Sequence, residues 1–218
     1  MERLMELLKI DASRHRLLAF VGAGGKTTLI YELAMELGSM GYSVAVTTTT
    51  HMGADGRYGF TPIGIPCGEG KIKGISPAAP YKLLGEYDFV LTEADGSRQL
   101  PFKVPESHEP VLPENVNLVV GMAGAAAVGR TFESMCCRYP LACRCFFCRP
   151  DDRIELTHLA ESLTASWGQK KNVTCDYRYV IGQGDLLDEK QKEYIRDLAG
   201  RMGEGCILSF QKSGKYRI

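Results

Sequence analysis

The sequence has no excess of charge of either sign, because 26 Lys and Arg residues balance 26 Asp and Glu residues. Nucleic acids and anionic membrane surfaces are bound mainly through a basic excess, so neither is predicted as a partner. A long apolar run is also missing, since the longest weakly polar stretch, 118–129, is too short to span a bilayer. The first fifteen residues mix both charge signs and do not resemble an export signal. We therefore expect a cytoplasmic protein without membrane association.

Two C-x₂-C pairs, an arrangement that is typical of zinc sites, are lacking as well, although the chain has eight cysteines. Without an export signal, these cysteines are expected to stay reduced. Cys143, Cys145 and Cys148 are close enough in sequence to share zinc or an iron–sulfur cluster, with Cys136 and Cys137 just before them. A structural role is favoured over a metal site, because cysteine is commonly a small buried hydrophobe.

Short apolar runs alternate with helical patterns along the chain. Strands are predicted at 17–21, 43–48, 89–91, 118–120, 179–181 and 206–208, and helices at 1–10, 26–38, 81–86 and 188–202. Strands that alternate little and are separated by helices indicate an α/β fold with a doubly wound, mostly parallel sheet. Residues 53–80 are rich in Gly and Pro, which predicts a loop or hairpin. Within a single domain, 1–218, residues 130–175 are predicted to form a helical insertion or subdomain.

A glycine loop joins the first predicted strand to its helix. The loop and the first helical turn contain Gly22, Ala23, Gly24, Gly25, Lys26, Thr27 and Thr28. Glycines let the backbone curl around phosphate, a helix N terminus offers amides, lysine neutralises phosphate charge, and a threonine hydroxyl binds Mg²⁺. The usual G-x-x-x-x-G-K-[ST] pattern would need glycine at position 20, where Phe20 stands. The spacing is instead similar to the compact G-T-N-G-K-T-T loop of the Mur ligases.

This context predicts a P-loop NTPase-like fold that binds ATP, or another nucleoside triphosphate, together with Mg²⁺. The alternative is a glycine-rich turn with a solvated Lys26, which does not explain the two threonines in the first helical turn. Guanine recognition is not favoured, because only Asp185 matches the Asn-Lys-x-Asp pattern of GTPases.

Two carboxylates follow the third predicted strand. Glu93 and Asp95 lie two residues apart and therefore on the same side of an extended chain. We predict that Thr27 and Asp95 hold Mg²⁺ and that Glu93 positions a nucleophile. His51 or Arg98 would then stabilise charge. The alternative is a solvated turn, since Asp-Gly is a common turn signal.

Threonines fill the end of the second predicted strand, at positions 47–50. Ligands of doubly wound sheets bind beyond the carboxyl ends of strands, so we predict that Thr49, Thr50 and His51 line the site. His108 and Glu109 form another candidate pair in a proline-rich loop.

Four segments, VGAGGKTT, TTTTHM, TEADGSRQLPFK and HEPVLP, together resemble the YqeC-like proteins. That family is described as accessory, or selenium-cofactor biosynthesis, proteins for selenium-dependent molybdenum hydroxylases. The resemblance runs through about residues 17–135. It implies nucleotide binding by the glycine loop, and a facing site lined by Thr49, Thr50, His51, Glu93, Asp95, Ser97 and Arg98. Lys103, His108 and Glu109 also match the family pattern, without a role.

Three functions fit these observations. The favoured one is a Mg²⁺-dependent NTPase that acts as an accessory factor in the maturation of a molybdenum hydroxylase. A small-molecule kinase or ATP-dependent ligase would differ by requiring an acceptor. A non-catalytic switch would bind nucleotide and dock a partner enzyme without hydrolysis.

Overall fold

The computed structural model describes residues 3–202, 206–210 and 215–217. The helices in these residues are α1 (Leu4–Leu7), α2 (Lys26–Ser39), α3 (Ala79–Leu83), α4 (Phe132–Met135), α5 (Tyr139–Phe146), α6 (Leu156–Thr164) and α7 (Glu189–Met202). The first six strands are β1 (Leu17–Gly22), β2 (Val44–Thr48), β3 (His51–Gly53), β4 (Ile65–Pro66), β5 (Lys71–Lys73) and β6 (Phe89–Glu93). The later strands are β7 (Phe102–Lys103), β8 (Leu118–Gly124), β9 (Cys136–Cys137), β10 (Asp176–Gly182), β11 (Cys206–Phe210) and β12 (Lys215–Arg217).

Within the described residues, a central sheet of seven strands has the order β12-β11-β10-β8-β1-β6-β2. All neighbouring strands pair in parallel except β11 and β12, which are antiparallel. The six predicted strands all belong to this sheet, so the predicted α/β class and mostly parallel sheet are confirmed. Strand β12 was not predicted.

Helices cover both faces of the sheet, which explains why its strands read as continuous apolar runs. All six residues of β1 are buried. Leu18 and Phe20 share a core with α1 and with Leu29 of α2. Ala19 lies on the opposite face, in a core that contains Leu159 of α6. Because helices pack against both faces of β1, this strand lies at the centre of the molecule.

The chain leaves neighbouring strands β1 and β8 in opposite directions. From β1, helix α2 leads to β2 at one edge of the sheet, whereas from β8 the chain continues to β10 on the other side. Such a divergence opens a crevice beyond the carboxyl ends of the two strands. The fold thus places the glycine loop at the point where an α/β sheet ordinarily binds a ligand.

The remaining segments differ in detail from the predictions. Helix α1 is shorter than the predicted 1–10, of which residues 1 and 2 lie outside the described part, because Lys9 adopts a left-handed φ of 48°. Helix α3 begins before the predicted 81–86, because Pro80 lies in its first turn. Residues 53–80 contribute to a small sheet of order β3-β5-β4. In 130–175, helices α4 to α6 share a core with the central sheet.

Candidate functional site

The glycine loop makes a close approach to β8 that only glycine permits. Gly22 and Gly24 have φ angles of 95° and 86°. A Cβ atom on Gly22 would lie 2.1 Å from the carbonyl oxygen of Met122, and one on Gly24 would lie 2.2 Å from the Cα of Gly124. Both contacts are with backbone, which cannot move aside. Glycine is therefore required here for packing as well as for its left-handed conformation.

Replacing Gly24 by alanine should lower the free energy of unfolding by about 2–3 kcal/mol, because left-handed strain and a backbone clash add together. Gly59 is the matched control: its φ is 84°, but a Cβ atom added there would meet no atom within 4 Å. Gly59→Ala should cost only about 1 kcal/mol from strain. Urea unfolding of the two variants measures the difference. Equal losses would show that the approach of the loop to β8 is not tight.

The N terminus of α2 opens into a cavity of about 800 Å³. Its N-cap residue is Gly25, and no side chain caps the helix. The amides of the first helical turn have no acceptor within the helix, and they lie at the positive end of its dipole. Residues 24–28 all line the cavity. This arrangement is suited to an anion such as phosphate.

The backbone amides of Gly22 and Ala23, which were predicted to bind phosphate, are hydrogen-bonded within the protein, and this corrects the prediction for these two residues. The Gly22 amide donates a 2.8 Å hydrogen bond to Asp95 Oδ2, and the Ala23 amide donates to the carbonyl of Met122. Both residues lie outside the cavity lining, which begins at Gly24. Gly22 and Ala23 therefore shape the loop, and the anion-binding part starts at Gly24.

Lys26, the first residue of α2, is buried and directed at the two carboxylates. Its Nζ lies 2.5 Å from the carbonyl oxygen of Gly22, 3.1 Å from Asp95 Oδ1 and 3.9 Å from Glu93 Oε1. Burial alone would lower the pKa of Lys26, but Asp95 and Glu93 outweigh it and hold that pKa above its usual value. The side chain is thus a fixed ammonium at the edge of the cavity.

Asp95 is the centre of a buried ionic network and does not line the cavity. It is fully buried, and its Oδ2 accepts a hydrogen bond from Lys103 Nζ at 2.9 Å. Lys103 also donates to Glu109 Oε2 at 2.9 Å, and Arg138 binds the same carboxylate through two hydrogen bonds. Hydrogen bonding and the charge of Lys103 keep the pKa of Glu109 below its usual value, despite burial. The predicted metal role for Asp95 does not fit this geometry, because its oxygens face two lysines and a backbone amide.

Glu93 is the carboxylate that faces the cavity. Thr27 Oγ1 donates a 2.8 Å hydrogen bond to its Oε2. Burial raises the pKa of Glu93, and the nearby Lys26 and Thr27 reduce that rise without cancelling it. Two adjacent oxygen donors at a cavity wall are the ligand type that Mg²⁺ prefers, with phosphate oxygens and water completing its shell. Thr27 and Glu93 therefore fit a magnesium ion better than Thr27 and Asp95 do.

Several other predicted residues lie around the same cavity. His51 of β3, Ser97 and Arg98 line it together with the glycine loop. Thr49 and Thr50 lie outside this lining, and the Thr49 hydroxyl donates to the carbonyl of Val111.

His108 and Glu109 have different surroundings, and neither residue lines the cavity. Glu109 belongs to the buried ionic network. His108 is exposed, and its Nδ1 lies 3.6 Å from Glu106 Oε2.

The cavity also contains residues that were not predicted. They are Met52, Gly53, Arg57, Lys71, Gly96, Gln99, Leu100, Pro101 and Gln183. Gln183, directly after β10, lines the cavity, whereas Asp185 does not. Arg98, Gln99 and Gln183 have left-handed φ angles of 52°, 63° and 62°. Backbone strain of this kind is concentrated at functional sites, but it has no sequence signal outside glycine.

The cysteine segment packs into the core beside α5. Cys136 and Cys137 are buried, and Cys143, Cys145 and Cys148 are partly buried. Burial, with the contact to Cys143, raises the pKa of Cys148 to about 11. Among the residues that the structure describes, no group of three or more His, Cys, Asp or Glu residues is placed to hold a metal ion. The burial of Cys136 and Cys137 and the raised pKa of Cys148 are typical of structural cysteines.

The geometry defines an α/β protein whose central strand ends in a glycine loop beside a lysine, a threonine and a carboxylate. The YqeC protein family model matches residues 18–140, and the chain belongs to that family. A protein of Escherichia coli (strain K12), called "Uncharacterized protein YqeC", is 30% identical to the chain, with 84% of this chain and 85% of the relative covered. No solved structure matches the chain significantly. None of the described helices is long and apolar enough to cross a membrane.

Proposed function

We propose that the protein is a Mg²⁺-dependent P-loop NTPase that binds ATP, or another nucleoside triphosphate, at the glycine loop and cleaves its γ-phosphate. The observation that carries this proposal is the position of Lys26. It stands at the first turn of an uncapped helix, beside the cavity, with its amine held between the two carboxylates that follow the neighbouring strand. A P-loop site needs a strand, a glycine loop, a helix and an acidic residue at the end of a neighbouring strand.

The amides of residues 24–28 and the ammonium of Lys26 would bind the β and γ phosphates. Lys26 must then turn from Asp95 towards the phosphate. Lys103 remains 2.9 Å from Asp95, so this buried carboxylate stays neutralised after Lys26 has moved. Lys103 therefore reduces the free-energy cost of moving the Lys26 amine from Asp95 to the ligand, although Lys103 does not contact the ligand.

Glu93 and Thr27 would hold Mg²⁺, in place of the pair Asp95 and Thr27 predicted from spacing. When bound there, Mg²⁺ supplies positive charge to the phosphates, which is a main requirement of phosphoryl transfer. Arg98 and His51 lie on the cavity wall, where they would stabilise charge and border the nucleophile. Burial raises the pKa of Glu93, and a cation beside its carboxylate would favour the ionised form.

Membership of the YqeC family suggests a role in the selenium-dependent molybdenum hydroxylase pathway. We infer that nucleotide turnover supports a maturation step of such an enzyme, in which this protein acts as an accessory factor. The chemistry of the site itself supports only the nucleotide-dependent part of that role.

Comparing Glu93→Gln with Asp95→Asn tests which carboxylate serves the metal. Wild-type protein should bind a non-hydrolysable ATP analogue more tightly with Mg²⁺ than with EDTA. Glu93→Gln should lose most of that difference, a change of about tenfold or more, because a ligand to a divalent ion is removed. Asp95→Asn should keep it, although it should be less stable because two buried lysines lose a partner.

Isothermal titration calorimetry on folded protein gives both affinities for each variant. A wild-type protein that binds no nucleoside triphosphate would refute the proposed function. If Mg²⁺ still strengthens analogue binding in Glu93→Gln but no longer does so in Asp95→Asn, the metal ligand is Asp95 and not Glu93.

A further inference from the structure

One side of the cavity carries more positive charge than a nucleotide in the glycine loop would use. Four cationic side chains line the cavity together with His51, whereas Glu93 is the single carboxylate of the described lining. The cations are Lys26, Arg57, Lys71 and Arg98. The chain as a whole has no net charge, so this concentration is local. A cleft lined by one sign of charge raises the local concentration of ligands of the opposite sign.

These cations occupy a particular wall. His51 and Lys71 belong to the neighbouring strands β3 and β5, and Arg57 lies on the loop that follows β3. In the register of this small sheet, Lys71 faces Gly53, which has no side chain and has open space where a Cβ would be. Glycine at that position leaves the surface beside Lys71 free for a ligand. We call this wall, formed by His51, Arg57 and Lys71, the cationic wall.

In the order of the central sheet, the cationic wall and Gln183 lie on opposite sides of the glycine loop. Gln183 follows β10, which lies on one side of β1 and its glycine loop. Glu93 ends β6 on the other side of β1, and the cationic wall follows β2, one strand further out. Thr27 and Glu93, the proposed metal ligands, mark the γ-phosphate end of the nucleotide. The cationic wall therefore lies beyond the γ-phosphate, and the base would extend in the opposite direction, towards Gln183.

Ion pairing within the protein leaves this charge available. In the described part of the chain, no carboxylate lies within ion-pair distance of Arg57. Lys71 pairs with Glu69 at 3.5 Å, but 55% and 87% of these two side chains are exposed to solvent. Exposed pairs of this type contribute little and are readily exchanged for another anion. The wall thus presents one guanidinium, one ammonium and one imidazole to the cavity.

We propose that the cationic wall binds a small oxyanion, a phosphate ester or a carboxylate, as the acceptor of the γ-phosphoryl group. This inference rests on the proposed function, and it favours a kinase or ligase reaction over simple hydrolysis. An anionic oxygen of the acceptor forms the bond to the γ-phosphorus. The bond from that phosphorus to the bridging oxygen breaks, and the nucleoside diphosphate leaves with the electron pair. Arg57 and Lys71 offset the repulsion between the two anions, which would otherwise oppose the approach.

The test uses full-length protein saturated with Mg²⁺ and a non-hydrolysable ATP analogue. Inorganic phosphate, glycerol phosphate and citrate are each titrated into this complex by calorimetry. At least one probe should bind with one-to-one stoichiometry. In the double variant Arg57→Ala/Lys71→Ala, the affinity of the protein for this probe should fall by about tenfold or more, as expected for the loss of charge-assisted hydrogen bonds. Affinity for the ATP analogue should change by less than about twofold, which is within the range of surface substitutions.

Lys73→Ala is the matched control, because Lys73 is another exposed lysine of β5 and lies outside the cavity lining. It should leave both affinities unchanged. The inference is overturned if no probe binds the loaded protein, if the probe competes with the analogue, or if the double variant weakens the analogue as much as the probe. The analogue is titrated first, so that failure of the wild-type protein to bind it identifies a failure of the proposed function itself.

Discussion

Lys26→Ala is expected to weaken binding of Mg²⁺ and a nucleoside triphosphate by about 100-fold or more. This corresponds to about 3 kcal/mol, the upper range for hydrogen bonds made by a charged group. The buried ammonium of Lys26 is the cation nearest the helix N terminus in the proposed phosphate site. Its removal should not unfold the protein, because Asp95 keeps Lys103 at 2.9 Å and the amide of Gly22 at 2.8 Å. Calorimetry with an ATP analogue, together with circular dichroism, measures binding and folding separately.

The control for this variant is Lys82→Ala. Lys82 is an exposed lysine of α3 and lies outside the cavity lining. It should bind the analogue like wild-type protein. A folded Lys26→Ala protein with wild-type affinity would show that the glycine loop is a structural turn and would refute the nucleotide site.

Lys103→Met is expected to have the largest effect on stability, with a loss of about 3–5 kcal/mol in the free energy of unfolding. The Lys103 side chain is fully buried, and its amine lies 2.9 Å from both Asp95 and Glu109. Methionine fills a similar volume but leaves two buried carboxylates without their shared cation. Arg138 still binds Glu109, whereas Asp95 keeps only Lys26, at 3.1 Å from its Oδ1, and the Gly22 amide, so the loss should lie near the lower end of this range and come mainly from Asp95. Urea unfolding, monitored by circular dichroism, gives the value.

A double variant separates charge from packing in this prediction. Adding Asp95→Asn to Lys103→Met removes one of the two carboxylate charges that Lys103 had neutralised, so the double variant should be more stable than Lys103→Met alone by about 1 kcal/mol or more. Lys82→Met, an exposed substitution, should change stability by less than about 0.5 kcal/mol. A small loss for Lys103→Met, or no recovery in the double variant, would mean that the network does not depend on Lys103.

The parts of the molecule that follow from local sequence could be predicted. A continuous apolar run predicted β1, apolar residues at helical spacing predicted α2, and the glycines between them predicted the loop. Placing Glu93 at the carboxyl end of a strand required only a short apolar run, and ligands of such sheets bind at carboxyl ends. These features need no knowledge of distant contacts, because each is set by residues within one turn or strand.

The division of roles between Glu93 and Asp95 could not be predicted, because it is set by partners on other strands. Lys103 reaches Asp95 from β7, 8 residues further along the chain, and the Gly22 amide reaches it from β1, across 73 residues. Spacing alone left either carboxylate free to face the ligand. The cationic wall is similar, since Arg57 and Lys71 line the same cavity as the glycine loop only after the small sheet of β3, β4 and β5 has formed.

Amide hydrogen exchange of the glycine loop tests the central claim most directly. The first-turn amides of α2 lack acceptors within the helix, so they should exchange rapidly in the free protein. Saturation with Mg²⁺ and a non-hydrolysable ATP analogue should slow exchange across residues 26–28 by at least about tenfold, because phosphate oxygens become their acceptors. Unchanged exchange across this segment at saturating ligand would contradict the account, even if the nucleotide bound elsewhere on the protein.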